Sequence, residues 1–268
     1  MSTQLKTVAF HTLGCKLNFS ETSTISRDFI KYGFEKVNFS SKADIYVINT
    51  CSVTENADRE ARKLVRQAKR RNQNSSVVVI GCYAQLKPKE ISKMENVDLV
   101  LGSEEKFKIL DYLDLLKLNQ GPVVVHDEIS HVNEFVPSYS IGDRTRSYLK
   151  IQDGCNYTCS FCTIPLARGK SRSDNIYNTV AAAKELSNKG VKELVLTGVN
   201  IGDYGNESKE SFLDLLIELD KLSRISRIRI SSIEPNLLSD ELIEFCNSSK
   251  KIMPHYHIPL QSGSNKIL

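Results

Sequence analysis

The chain has 268 residues, 40% of them hydrophobic, with 36 Lys and Arg against 32 Asp and Glu for a net charge of +4. This suits a globular protein of one large or two smaller domains; it excludes a membrane helix, since no apolar run approaches roughly 18 residues, and the charge excess is too small to imply nucleic acid by itself. The first ten residues lack the charged-then-apolar layout of a signal peptide, which predicts a cytoplasmic protein, and its seven cysteines point there to metal binding or catalysis over disulfides.

In chain order, short β-branched apolar runs at residues 7–10, 45–48, 77–80 and 99–101 alternate with helical stretches at 21–32, 57–71, 89–94 and 104–117. The pattern predicts a doubly wound α/β domain over residues 1–118 with a buried parallel sheet. Residues 119–146, with Gly121-Pro122, a 123–125 apolar run and Pro137, read as a linker with one edge strand. A second series spans 147–268, with strands at 148–152, 193–196, 227–231 and 256–259 and helices at 176–188, 211–222 and 239–247, the last opened by Ser239. Consecutive βα units joined by right-handed crossovers curl into part of a (β/α) barrel. The series stops at Leu268 with its last strand unpartnered, which predicts a longer protein.

Cys155, Cys159 and Cys162 follow the first strand of the second series with spacing C-x-x-x-C-x-x-C. Three thiolates can hold a cuboidal iron–sulfur cluster and leave one iron open for a small chelating ligand. A zinc site or chance clustering are the alternatives, but a zinc ribbon needs a second C-x-x-C pair, which the chain lacks. Cys15, Cys51 and Cys82 are far apart in sequence, yet each falls just after a predicted strand, so a parallel sheet brings all three to its carboxyl edge. They suit a second cluster; the plain alternative is three buried small hydrophobes. Cys246 lies mid-helix beside Leu242 and Phe245 and reads as core.

The segment from Gly154 through Tyr157 and Phe161 to Cys162 resembles the signature of the radical S-adenosylmethionine superfamily. With Gly14-Cys15-Lys16-Leu17-Asn18 and Gly81-Cys82-Tyr83-Ala84-Gln85, the whole chain resembles the methylthiotransferase family. The resemblance implies a partial radical S-adenosylmethionine barrel and two [4Fe-4S] clusters, one on each cysteine trio. The Cys155 cluster would split S-adenosylmethionine to make a radical, and the Cys15 cluster would present the sulfur. It further implies Phe161 against the cofactor's adenine, with a core aromatic as the alternative, and a loop at Thr197 and Gly198 for its amino group. Arg229, Ser231, Ser232, His255, His257 and Gln261 are candidates for the barrel interior, Arg229 foremost as a cofactor contact; ordinary hydrogen-bonded core residues are the alternative.

Within the family, Lys16, Leu17, Glu21 and Ser231-Ser232-Ile233-Glu234-Pro235 resemble the branch acting on N6-threonylcarbamoyladenosine of tRNA. The branches acting on isopentenyladenosine and on a ribosomal-protein aspartate, and a non-catalytic iron–sulfur carrier, are the competing readings. The family also carries two further βα units and an RNA-binding carboxyl-terminal domain, and the reading expects a monomer served by a flavodoxin- or ferredoxin-like electron donor. Arg59, Arg62, Lys63, Arg66, Lys69 and Arg70 recur at helical spacing after Cys51. They form a candidate tRNA-binding stripe, with a solvated helix face as the alternative.

Overall fold

A computed structural model describes residues 6–51, 55–117, 121–142 and 145–267. Positions 119, 120, 143 and 144 of the expected linker, and Leu268, lie outside the described residues. The chain divides into two compact units, residues 1–136 with 157–169, and residues 137–156 with 170–268. The expected linker is therefore shared between the units, and the segment 157–169, with Cys159 and Cys162, belongs to the first.

The first unit is built on six parallel strands. They are β1 (Thr7–Thr12), β2 (Glu35–Val37), β3 (Ile45–Thr50), β4 (Ser76–Gly81), β5 (Leu99–Leu101) and β6 (Val123–Val125), in spatial order 2-1-3-4-5-6. Strands covered on both faces are apolar nearly throughout, as in β3, where every residue is buried. Their side chains alternate between layers. Val8, Ile45, Val47, Val78 and Ile80 pack with Ile25 and Phe29 of α1 (Lys16–Lys31) and with Ile109 of a 3-10 segment, Glu105–Lys117. Ala9, Tyr46, Ile48, Val77 and Val79 pack with Leu64, Val65 and Ala68 of α2 (Glu55–Arg71).

Several boundaries differ from expectation for identifiable reasons. The edge strand β2 was hidden because Glu35 and Lys36 are exposed and carry no apolar pattern. The run at 123–125, expected in the linker, pairs in parallel with β5 from Leu99↔Val123 onward and closes the first sheet. The helix expected at 104–117 is the 3-10 segment, kinked at Lys108. The stretch at 89–94 contracts to α4 (Pro88–Ser92), preceded by the unforeseen α3 (Cys82–Leu86).

In the second unit, β7 (Ser138–Tyr139), β8 (Ser147–Lys150), β11 (Glu193–Thr197) and β12 (Arg227–Ile230) form a sheet in order 12-11-8-7. All neighbours are parallel except β7 against β8. The expected strand at 148–152 breaks after Lys150, and β9 (Gln152–Asp153) pairs instead with β10 (Arg172–Ser173). Helices α6 (Ile176–Asn188), α7 (Phe212–Asp220) and α8 (Asp240–Ser248) cover one face, burying Leu186, Leu215, Leu216, Leu219 and Leu242 against Leu149, Leu194, Leu196, Ile228 and Ile230. Cys246 lies in this core, as expected. Asn175, Ser211 and Ser239 cap these helices through their side chains. The strand expected at 256–259 does not form; Pro254 before it and Pro259 at its end offer no N–H to a ladder, and it makes the isolated bridge Ser232↔His257.

Candidate active site

From β1 the chain passes to β2 on one side and to β3 on the other, so the switch point of the first sheet lies between β1 and β3. Open α/β sheets bind ligands there, outside the carboxyl ends of the strands. Cys15 and Cys51 flank the point and Cys82 follows β4, the next strand. Cys15 is exposed, whereas Cys51 and Cys82 are buried.

Gly14 permits the close approach. Its φ is +94°, and a β-carbon there would lie 2.6 Å from Cys51 Cβ and 2.9 Å from its Sγ. A polar network fastens the three strand ends together. The Asn18 amide donates to Leu13 O and Thr50 O at 3.0 Å each, Asn49 Nδ2 donates to Asn18 O at 3.0 Å, and Thr50 Oγ1 donates to Ile80 O at 2.6 Å.

Burial pushes the Cys82 thiol up, while the cations Arg168 and Lys106 pull it down and Cys15 adds an upward push, so these groups share one field. Among the described residues, no three His, Cys, Asp or Glu side chains close on the position of a single metal ion. A cuboidal cluster takes each thiolate on a different iron and so needs them farther apart than one ion does. A rim of three sulfurs near cationic groups suits that anionic cluster better than it suits zinc.

In the second unit Cys155 is half-buried just beyond β9. The side chain organising this region is Gln152, which is fully buried. Its Nε2 donates to Gly154 O at 2.7 Å, Ser171 Oγ at 2.9 Å and Asp153 O at 3.0 Å. Its Oε1 accepts from Val199 N at 2.8 Å and Asn200 N at 3.0 Å. One amide thus ties the base of the cysteine loop to the loop after β11. Gly198 is needed because a β-carbon there would lie 2.8 Å from Gln152 Oε1.

Asn200 Nδ2 and Ser231 Oγ are buried without a hydrogen-bond partner in the protein. They lie past the carboxyl ends of β11 and β12 and suit a polar ligand. Asp153, behind Cys155, is held by Lys150 Nζ at 2.7 Å and Arg172 Nη2 at 3.4 Å, all three buried. Sequence reasoning missed Gln152, although an amide in a buried strand just before Gly-Cys is a usable signal.

Residues 7–102 match the model of uncharacterized protein family UPF0004, and residues 149–268 that of the Radical SAM superfamily. The threonylcarbamoyladenosine tRNA methylthiotransferase MtaB of Bacillus subtilis (strain 168) is 44% identical over 98% of this chain and 59% of its own length. Its namesake from Aquifex aeolicus (strain VF5) is 43% identical over 97% of this chain and 64% of its own. Over nearly its whole length the chain is thus similar to radical SAM methylthiotransferases.

The chain spans about 60% of the length of the curated relatives it matches. Methylthiotransferase-family relatives named for a dimethylallyladenosine product or for ribosomal protein uS12 are 33–35% identical. In fold, the chain is similar to the radical S-adenosylmethionine methyltransferase TsrM from Kitasatospora setae, solved with tryptophan substrate and a SAM analog (TM-score 0.67, 13% identity, 98% of this chain and 60% of that one).

The other residues that the methylthiotransferase resemblance singled out are placed unevenly. Phe161 is 71% exposed beside the cysteines, not in the core. Thr197 is buried, with its hydroxyl donated to Val195 O. Arg229 donates through Nε to Glu193 Oε1 at 2.6 Å, and Arg227 holds the other oxygen at 2.8 Å. Burial works to raise the Glu193 carboxyl, and these two hydrogen bonds outweigh it and hold the group below the usual carboxylate range. His255, His257 and Gln261 are exposed.

On α2, Arg59, Lys63, Arg66 and Arg70 are exposed opposite the buried Ala61, Leu64, Val65 and Ala68. Arg62 pairs with Glu90, and Lys69 reaches Ser75 O at 2.6 Å and Asp98 at 3.1 Å. Of the six expected stripe positions Lys69 alone is not exposed, and Arg62 is exposed but engaged with Glu90. Among the described residues no helix is long and apolar enough to cross a membrane.

Proposed function

We propose that the whole protein transfers a methylthio group to C2 of N6-threonylcarbamoyladenosine at position 37 of tRNA. The observation carrying this reading is the identity of 44% and 43%, over nearly all of this chain, to relatives named for that reaction. The C2–H bond of adenine does not yield to acid–base catalysis; two [4Fe-4S] clusters and S-adenosylmethionine, when bound, supply the radical chemistry and the sulfur.

The chain's own part is to hold and orient. Cys155, Cys159 and Cys162 hold one cluster, and Cys15, Cys51 and Cys82 hold the other. Gln152 fixes the loop at Gly198 against the base of the Cys155 loop, while Asn200 Nδ2 and Ser231 Oγ offer hydrogen bonds to the cofactor and Phe161 offers its ring to the adenine. Thr197 sets the start of the same loop, and Arg229 acts through the Glu193 ion pairs that brace the sheet. Arg59, Lys63, Arg66 and Arg70 take tRNA phosphates. Arg62, though paired, adds to that field.

The working protein is a cytoplasmic monomer reduced by a flavodoxin- or ferredoxin-like donor. Mass spectrometry of tRNA nucleosides from a strain lacking the gene should show loss of 2-methylthio-N6-threonylcarbamoyladenosine and accumulation of its unthiolated form. Loss of the isopentenyl counterpart, or of a methylthio group on a ribosomal-protein aspartate, would reassign the substrate.

A further inference from the structure

The segment 157–169 leaves Cys162 through α5 (Ile164–Arg168) and ends on Gly169, where φ is +77°. It is fastened into the first unit by Ser103 Oγ, which donates to Ala167 O at 2.6 Å, and by Arg168, 2% exposed. The Arg168 guanidinium grips Glu21 with both terminal nitrogens, Nη1 to Oε1 at 3.0 Å and Nη2 to Oε2 at 3.3 Å. Lys106 Nζ donates to the same Oε2 at 2.8 Å, and Glu21 is fully buried. Two cations thus share one carboxylate out of reach of solvent. A buried ion set is no more stabilising than well-packed apolar groups of the same volume, so stability alone does not account for it.

Two observations connect this set to the cysteine rim. Arg168 Nη2 donates to Asn18 Oδ1 at 2.6 Å, which turns the Asn18 nitrogen toward Leu13 O and Thr50 O. Those carbonyls directly precede Gly14-Cys15 and Cys51, so the guanidinium orients the amide that sets both loops. The charge also lies near the sulfurs: a β-carbon on Gly14 would stand 3.4 Å from the Asn18 Nδ2 that Arg168 orients and 2.9 Å from Cys51 Sγ.

We propose that Arg168 is a positioning residue for the cluster on Cys15, Cys51 and Cys82, setting the loops through Asn18 and, with Lys106 against Glu21, holding a positive charge that favours the reduced cluster. This rests on the reading of those three cysteines as cluster ligands. A three-thiolate cluster is anionic and gains a further negative charge on reduction, so a fixed positive neighbour raises its reduction potential, and a fixed negative one lowers it.

The test uses the full chain with Cys155, Cys159 and Cys162 replaced by Ala, reconstituted anaerobically with iron and sulfide so that only the first trio can be loaded. Iron and sulfide content are measured, and the cluster is then titrated potentiometrically by electron paramagnetic resonance. R168M and K106M should shift the midpoint to more negative potential. At a fixed applied potential the reduced-to-oxidised ratio should fall by about tenfold, the effect of one unit charge about 10 Å away at an effective dielectric of about 20. E21Q should shift it the opposite way. R168K, which keeps the charge but not the two-pronged grip, should retain the midpoint and load less iron.

Midpoints unchanged in iron-loaded R168M, K106M and E21Q would overturn the proposal, as would shifts of one sign in all three, the mark of general loosening. E21Q and R168K keep the test decisive where R168M does not fold. Absence of iron in the parent, with iron still bound in the complementary chain bearing Cys15, Cys51 and Cys82 as Ala, would overturn the cluster reading itself, and this proposal with it.

Discussion

Replacing Gln152 by Leu tests whether one buried amide organises the cofactor side of the second unit. The substitution keeps approximate volume and deletes every polar contact. Val199 N and Asn200 N lose the oxygen they share, at 2.8 and 3.0 Å, and Gly154 O loses a 2.7 Å donor. Each buried group left without its partner costs about 1–3 kcal/mol, so Q152L should lose roughly 3–6 kcal/mol in denaturant unfolding. The loops bearing Cys155 and Gly198 should also come apart, weakening S-adenosylmethionine binding in equilibrium dialysis by at least about tenfold, equivalent to about 1.4 kcal/mol.

Q152E supplies the sign. It retains an acceptor for Val199 and Asn200 but sets a second oxygen against Gly154 O and Asp153 O, so the carboxyl is accommodated in its protonated form and its folded-state pKa is raised. Its stability relative to Q152L should be greatest at low pH and fall as pH rises through that raised value. A Q152L chain within about 1 kcal/mol of the parent, with unchanged cofactor affinity, would refute the reasoning.

Gly14→Ala should cost about 1–3 kcal/mol from the positive φ alone. Because its β-carbon would sit 2.6 Å from Cys51 Cβ, it should also lower iron content to about half by metal analysis, one of the two clusters being lost. In the metal-free chain, iodoacetamide should modify the exposed Cys15 before the buried Cys82, as read by peptide mass spectrometry. Burial raises the Cys82 thiol above its ordinary value of 9.0. Its contribution to metal-free stability is therefore full below that pH and is lost as pH climbs through the folded-state value, while iron loading should improve over the same range. Neutralising Arg66 and Arg70 together should reduce the salt dependence of tRNA binding by about two phosphate contacts, whereas R62Q, whose parent side chain is paired with Glu90, should change it less.

What could be read from the sequence was whatever local pattern encodes. Buried parallel strands announced themselves as apolar runs, and the position of three cysteines just after them placed all three on one sheet edge. The edge strand β2 was illegible because an exposed Glu-Lys pair carries no apolar signal, and with it went the switch point between β1 and β3. Side-chain partners over long separations were equally invisible. Nothing near Arg229 indicates that Glu193 will engage it, and nothing near Arg62 indicates Glu90. Arg168 and Glu21, 147 residues apart, meet because segment 157–169 packs into the first unit, a tertiary fact that no periodicity carries.

The two units share a device that sequence hides for this reason. Beside the first trio, Glu21 is shared by Arg168 and Lys106; behind Cys155, Asp153 is shared by Lys150 and Arg172, again with every side chain buried. In each case two cations and a carboxylate stand together in a poorly screened interior. A loop of three thiolates must be held open against their mutual repulsion before iron arrives, and must afterwards carry an anionic cluster. A cation pair secured by one carboxylate does both: it offsets the thiolate charge, and its fixed geometry prevents the positive side chains from swinging out to solvent. Loss of the carboxylate and loss of a cation should therefore act oppositely on the charge at the sulfurs while both loosen the packing, which is why the sign of a potential shift discriminates where a stability measurement cannot.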